Sequence, residues 1–228
     1  DFTGGSVNAG RGGAWLLDPV DLTIDATLAG TIATALNGSS NVTQLTSATG
    51  SGGNGDITVA SGISWSTNAT LTLSAYRHIA VNANITSTGG GGVVLRADNS
   101  GTGTGIVTFG GGQVSTAGTV SIFYNPTGNN STVNATKYTA GTQTNFSGNV
   151  TGGATLKTNM LVNNVFDLQN MKNNLTGTYA LGRDIDASIT SGWNGGAGFE
   201  SIGAGVSFNG NLDGLGHAGM AAAVERAD

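Results

Sequence analysis

Across residues 55–99 the apolar positions recur with a period of about 22 residues. Ile57 and Val59 return as Ile79 and Val81, Ile63 as Ile85, and Leu71 and Leu73 as Val93 and Leu95. Each pair brackets a polar or small residue, as in Ile57-Thr-Val59, Leu71-Thr-Leu73 and Ile79-Ala-Val81. That alternation of two sends one set of side chains to a buried face and Thr or Ala to the other, so the pattern predicts short strands. Self-similarity on this scale, with Gly, Asn and Ser turns between strands, is the mark of stacked repeats. Each period is read as one coil of a parallel β-helix, with Ile57 lying beneath Ile79 at about 4.8 Å.

The flanking segments follow from the same reading. Leu22 and Ile24 alternate as in a strand after a turn at Pro19, and Trp15 to Leu17 are expected to supply core. Over residues 26–36, Leu28, Ile32, Ala35 and Leu36 recur at three and four, which predicts a short helix stopped by Gly38 and capping or decorating one coil. The strands continue through Ile106, Val107, Phe109, Val114, Val120 and Ile122, with one loop lengthened at the Gly-rich runs 89–92 or 100–105. Residues 126–159 are almost free of apolar pairs and read as a long turn or irregular coil. Tyr138 and Phe146 are its anchors, and a further coil would run through Phe146, Val150 and Leu156.

Residues 160–176 predict a short amphipathic helix through Val162, Phe166, Leu168, Met171 and Leu175, capped by Asn163 or Asn164 and ended at Gly177. Tyr179, Leu181 and Ile185 return to strand spacing, and Phe199, Ile202, Val206, Phe208 and Leu212 are expected to form a last coil. The whole is taken as a single domain over residues 1–217, with 218–228 a tail that carries no strand pattern and is expected to be non-native or disordered.

Composition sharpens the picture. The chain holds 228 residues, of which 40 are Gly, 31 Thr, 23 Asn and 19 Ser, and only 9% are charged. Such residues suit tight turns and exposed strand faces rather than helix interiors. Recurrent Val, Ile, Leu and Phe pairs and a net charge of −5 argue against a disordered polar chain. The absence of Cys excludes disulfides and thiolate chemistry. Eight Lys and Arg, scattered singly, offer no patch for phosphates, so nucleic acid is not an expected partner. No apolar run is long enough to span a bilayer, and the first residues resemble neither a signal peptide nor a natural start, so the chain reads as part of something longer.

Several motifs in order carry a resemblance. They are Gly13-Ala-Trp-Leu-Leu-Asp-Pro-Val-Asp-Leu-Thr-Ile-Asp25, Gly55-Asp-Ile-Thr-Val59, Leu71-Thr-Leu-Ser-Ala-Tyr-Arg-His-Ile79, and Tyr179-Ala-Leu-Gly-Arg-Asp-Ile-Asp-Ala187 followed by Trp193-Asn-Gly-Gly-Ala-Gly-Phe199. Over roughly residues 4–217 the chain resembles interior segments of filamentous-haemagglutinin-like exoproteins, the secreted partners of two-partner secretion systems in Gram-negative bacteria. The resemblance implies a right-handed parallel β-helix, exported through an outer-membrane pore partner and displayed on or shed from the cell as an adhesin for host or environmental surface glycans or proteins. It carries no activity, because these segments are scaffold. Two departures stand out. The secretion domain that the pore partner recognises is not identifiable, and Leu212-Asp-Gly-Leu-Gly-His217 meets Ala218-Gly-Met-Ala where a further apolar strand is expected.

Candidate chemistry is sparse, and neither a cofactor nor a metal is expected. Asp184 and Asp186 share a strand face, and a β-helix would bring Asp213 and His217 beside them from a neighbouring coil. Paired carboxylates with a His would serve a carbohydrate hydrolase or lyase, or hold a divalent ion, and this is the alternative to a scaffold without catalysis. Asp in turns such as Asp213-Gly-Leu-Gly ordinarily bonds its own backbone. His78 lacks a partner ligand in sequence and reads as a turn residue, and no nucleophile elbow, paired-His metal motif or phosphate loop occurs. Ten Asn-x-Ser/Thr triplets occur, a modest excess for this composition, with Asn68, Asn84 and Asn130 among the candidate glycosylation sites. For sugar stacking the candidates are Trp193 and Tyr124, with Trp65 and Tyr76 behind them; Trp65 alternates with Ile63 and reads as core. Open strand edges at the ends of a coil stack would favour end-to-end self-association unless helices cover them.

Overall fold

In the computed structural model, residues 14–17, 19–47, 53–127, 132–217 and 219–220 are described. They are mostly β, arranged in parallel sheets, with few helices. They group into two compact units. The first holds residues up to 99, 104–124 and 145–158; the second holds 100–103, 125–144 and the residues from 159 on.

In the first unit the strands come in threes. β4 (Ile57–Val59), β5 (Ile63–Trp65) and β6 (Leu71–Ser74) pair in parallel with β7 (Ile79–Val81), β8 (Ile85–Ser87) and β9 (Val93–Arg96). These pair in turn with β10 (Val107–Phe109), β11 (Val114–Ser115) and β12 (Thr119–Tyr124). The register is the one the 22-residue period predicts, Ile57 against Ile79, Ile63 against Ile85 and Leu71 against Val93. The inward rows are buried, as in Leu71, Val93 and Val120, with Phe109 half-buried at the end of its row, and each buried side chain contributes about 1.5–3 kcal/mol. The outward positions are mostly Thr, Ser and Ala, with Val94 and Arg96 on β9.

The step from Ile79 to its partner Val107 is longer than 22 residues because the loop between β9 and β10 has grown. The growth sits at residues 100–105 and not at 89–92, since Ile63 to Leu71 and Ile85 to Val93 are equally spaced. Val107, rather than Ile106, takes the buried position, and Ile106 is 40% exposed. Gly89 and Gly91 serve close approach, and Gly90 takes φ +74°. A Cβ on Gly91 would lie 2.3 Å from the Ala69 carbonyl oxygen and 2.5 Å from the Trp65 indole nitrogen, which donates to that same oxygen at 3.0 Å.

Upstream, β2 (Leu22–Ile24) pairs with β4, and β1 (Ala14–Leu17) with β3 (Asn41–Leu45), which pairs with β6. The side chains of Trp15 to Leu17 lie outside the described residues, and so does their expected core role. Between β2 and β3 stands α1 (Ala26–Asn37), whose Asp25 accepts the Leu28 N–H at 2.9 Å and so caps its first turn. Ala29, Ile32, Ala35 and Leu36 are buried. Gly38 bonds back to the last turn, but the left-handed residue is Ser39, with φ 63°. α1 lies against β5, the last strand of its sheet. Asn37 Oδ1 accepts the Ser66 N–H at 2.9 Å, and the Thr67 hydroxyl donates to the Leu36 carbonyl at 2.6 Å. The helix therefore covers a sheet edge that would otherwise stay open. The further coil expected after residue 142 is partly realised: Phe146 is buried, and β13 (Val150–Thr151) pairs with β11.

In the second unit the end of β14 (Thr155–Val162) places Met160, Leu161 and Val162 beside Tyr179, Ala180 and Leu181 of β15 (Thr178–Leu181), so residues 160–162 are strand where helix was expected. The helix is only α2 (Val165–Asn170), capped by Asn164, which accepts the Asp167 N–H at 2.9 Å, and continued by a 3-10 turn at Met171–Asn173. Beyond Val165 its buried residues are polar: Asp167, Gln169 and Asn170 point inward, while Phe166 and Leu168 are half-exposed. Those side chains hold a loop that has few apolar anchors. Asn170 Oδ1 accepts the Asn134 N–H at 2.7 Å, and Asn173 Nδ2 donates to the carbonyls of Asn134 and Lys137. Lys137 Nζ meets Asp167 Oδ1 at 2.5 Å with both side chains wholly buried. Tyr138 donates to the Leu161 carbonyl at 2.7 Å and packs edge-on against Tyr179. Burial, with the Asp167 charge second, pushes the Tyr138 phenol well above its ordinary pKa.

β16 (Ile185–Asp186) pairs with β18 (Gly219–Met220), and β17 (Asn211–Asp213) with β15. The last coil expected from Phe199 to Leu212 is otherwise turns. Val206 and Leu212 are 64% and 41% exposed, and Gly203 and Gly205 take positive φ, which breaks the alternation ahead of Val206. Apart from the Gly219–Met220 backbone, the expected tail at 218–228 lies outside the described residues.

Candidate functional site

The acidic cluster is only partly assembled. Asp184 and Asp186 flank buried Ile185 and are both exposed, as the alternation requires. His217 Nδ1 lies 3.4 Å from Asp184 Oδ1 on an open surface, the Asp184 side chain being 71% exposed. The other two carboxylates hold their own turns. Asp186 accepts the Ser188 N–H at 2.8 Å, and this bond leads the causes that hold its carboxyl below the usual range. Asp213 accepts the Leu215 N–H at 2.9 Å, stabilising a left-handed Leu215. These are the local Asx bonds of turn residues. Among the described residues no group of three or more His, Asp or Glu is placed to hold a metal ion, and no helix is long and apolar enough to cross a membrane.

Trp193 stands differently. Its indole lies 5.3 Å from the Phe166 ring and 6.3 Å from that of Phe199, nearly parallel to the latter, and all three rings are half-buried. Phe166 and Trp193 border a cleft of about 330 Å³ whose lining includes Val133, Lys172, Asn194 and Glu200. Its walls are fixed from several directions. Gln169, buried in α2, exchanges two bonds with the Glu200 main chain, at 2.9 and 2.8 Å. Lys172, three residues on, forms an ion pair with the Glu200 carboxylate. Asn194, with φ 54°, donates to the Gly198 carbonyl at 2.8 Å, and the Gly198 N–H returns to the Trp193 carbonyl at 3.0 Å, closing the loop that carries the indole. Sequence singled out Trp193. Phe166 and Lys172 carried no local signal, being brought to Trp193 and Glu200 by long-range folding, while Phe199 and Glu200 close the same loop as Trp193.

Tyr124 is not a surface residue. It is 2% exposed, with its ring 5.1 Å from Phe146 in an edge-on contact. The sequence held the sign of this, since Tyr124 continues the inward alternation of Val120 and Ile122. Trp65 is core as expected, and Tyr76 is half-buried over Gly55. His78 is a turn residue whose Nδ1 accepts the Ile106 N–H at 3.2 Å.

Of the glycosylation candidates, Asn68 and Asn84 are exposed, Asn84 Oδ1 accepting the Gln113 N–H at 3.0 Å, while Asn130 lies outside the described residues. Three further triplets are built as Asx turns: Asn134, Asn145 and Asn174 each accept from the main chain of the Thr or Ser two residues on. The turn chemistry of the chain thus accounts for part of the excess of this motif.

No protein-family model matches the chain, and no solved structure matches it. A stretch of 66 residues is 42% identical to Halomucin of Haloquadratum walsbyi (strain DSM 16790 / HBSQ001). The similarity covers 25% of this chain and 1% of that protein, so the chain corresponds to a very small part of the curated relative it matches.

Proposed function

We propose that this chain is a right-handed parallel β-helix segment of a secreted or cell-surface exoprotein of the filamentous-haemagglutinin-like kind, with a structural and adhesive role and no catalysis of its own. The observation that carries this reading is the parallel register of β4, β5 and β6 on β7, β8 and β9 and on β10, β11 and β12. A stack of this kind grows by repetition and presents long rows of Thr and Ser hydroxyls to the outside. Its partners are host or environmental surface glycans or proteins. The full-length parent would leave the cell through an outer-membrane pore partner. Individual copies would associate end to end through open edges such as that of β17, whose three residues are all exposed.

A carbohydrate hydrolase or lyase is the competing reading, and Asp186 and Asp213 weigh against it because both carboxylates serve local turns. The purified chain should bind components of a polysaccharide and surface-protein panel without turnover, and an Asp184→Ala/Asp186→Ala variant should bind equally. Turnover that disappears in that variant would replace the adhesive reading with the enzymatic one.

A further inference from the structure

We infer that the cleft beside Trp193 is a subsite for one neutral pyranose ring of a glycan. Trp193 and Phe166 would cover the C–H face of the sugar, and Glu200 and Lys172 would take its vicinal hydroxyls. The inference rests on the adhesive reading above and names the place and the ligand class.

Three observations point to this chemistry. The first is the aromatic floor. In a chain that is 6% aromatic, Trp65, Phe123, Tyr124, Tyr138, Phe146 and Tyr179 are buried, whereas Phe166, Trp193 and Phe199 meet with their rings half-open. An open ring face beside fixed polar groups suits a ligand with one apolar and one hydroxylated side, because the aromatic face attracts the polarised C–H groups.

The second is the charge. Lys172 and Glu200 are paired, so the cleft carries both signs and favours neither, and their side chains remain 33% and 47% exposed. The ammonium keeps donors and the carboxylate keeps acceptor sites for neighbouring hydroxyls. A uronate would have to face Glu200, and an organic cation would have to displace Lys172 from it, whereas a neutral sugar disturbs neither.

The third is rigidity. Glu200 is held through its own main chain by buried Gln169, and the Trp193 loop is closed by Asn194 and Gly198, so little order has to be gained on binding. The cleft, about 330 Å³, is at the small end of ligand pockets, which suits one ring with the rest of the glycan in solvent.

Calorimetric titration of the whole chain with methyl β-galactopyranoside, methyl β-glucopyranoside, N-acetylglucosamine, galacturonate and tetramethylammonium tests this. At least one neutral pyranoside should bind, in preference to galacturonate and to the ammonium ion. Trp193→Ala should weaken that binding by about tenfold or more. Glu200→Gln, which keeps the main-chain bonds to Gln169, should fold as the parent does and bind severalfold less well. Preferred binding of galacturonate or tetramethylammonium, unchanged binding in both variants, or no binding by any probe would overturn the subsite. A polysaccharide panel read in parallel separates the two levels. Glycan binding that survives both substitutions removes the subsite and leaves adhesion, whereas a panel that binds nothing removes glycan adhesion as well.

Discussion

The imidazole Nδ1 of His78 accepts the main-chain N–H of Ile106 across a strand junction, at 3.2 Å. It is one rung of a column. Asp21 Oδ1 accepts the Asp56 N–H at 2.8 Å, Asp56 Oδ1 accepts the His78 N–H at 3.0 Å, and His78 then accepts from Ile106. Each acceptor stands just before a strand and satisfies a main-chain donor that the ladder leaves unpaired at the entry of the strand above. His78 fills a position that Asp occupies in the two rungs below.

This placement makes the column sensitive to pH. Burial, the largest cause, pushes the His78 imidazole below its ordinary pKa; Asp56 and Asp98 oppose that and Arg77 adds to it. A depressed folded pKa means that the neutral ring is the stable form. Its contribution is complete above the unfolded value of about 6.5 and is lost as pH falls through the lower folded value. The melting temperature should therefore drop between pH 7 and pH 5. His78→Asn supplies a non-titrating acceptor, as Asn84 does for Gln113, and should flatten that part of the profile. Identical profiles for parent and variant would show that His78 is not the group responsible.

Gln44 is the misfit in an otherwise apolar row. It shares its ladder position with Leu73, which stacks under Leu95 and Ile122, yet it is wholly buried and, among the described residues, neither side-chain amide atom has a partner. An unsatisfied buried polar group costs about 1–3 kcal/mol. Gln44→Leu should stabilise the chain by a similar amount, read as a higher urea midpoint with an unchanged slope.

The Lys137–Asp167 pair should behave as a unit. Removing one partner leaves a buried charge alone, so Lys137→Met or Asp167→Asn should each destabilise by about 3–5 kcal/mol. The double variant Lys137→Met/Asp167→Asn should lose less than the sum of the two single variants in a double-mutant cycle followed by denaturation. Additive losses would mean that the two charges are not coupled.

Gly91→Ala probes the close packing over Trp65. With a carbonyl oxygen 2.3 Å from the added methyl, the backbone has to move, at a cost of about 1–3 kcal/mol. Gly90→Ala, where a Cβ meets nothing but φ is +74°, should be milder. A buried indole reports the difference through its fluorescence.

The regular part of this fold was legible because a parallel ladder turns sequence period into register: Ile57 over Ile79 needs only counting. The second unit was not, since its order rests on amide side chains. Asn134, Lys137 and Asn170 look like surface residues in a polar segment, and nothing local tells an inward Asn from an outward one. The helix around Phe166 was placed too early because Met160, Leu161 and Val162, buried on both faces of a strand, imitate a helical run. Of the candidate site, Trp193 was visible as an aromatic in a Gly-rich loop, while its partners come from 27 residues upstream, at Phe166, and from the far end of the loop, at Phe199.

The lengthened loop before Val107 leaves the strands on either side in step. Val107, Val114 and Val120 sit over Ile79, Ile85 and Val93 as though no residue had been added. Alignment in such a chain is therefore enforced at the strands and relaxed at the corners. New surface can be grafted at a corner without renegotiating the interior, and two copies of the gene that differ there would still make interchangeable frameworks.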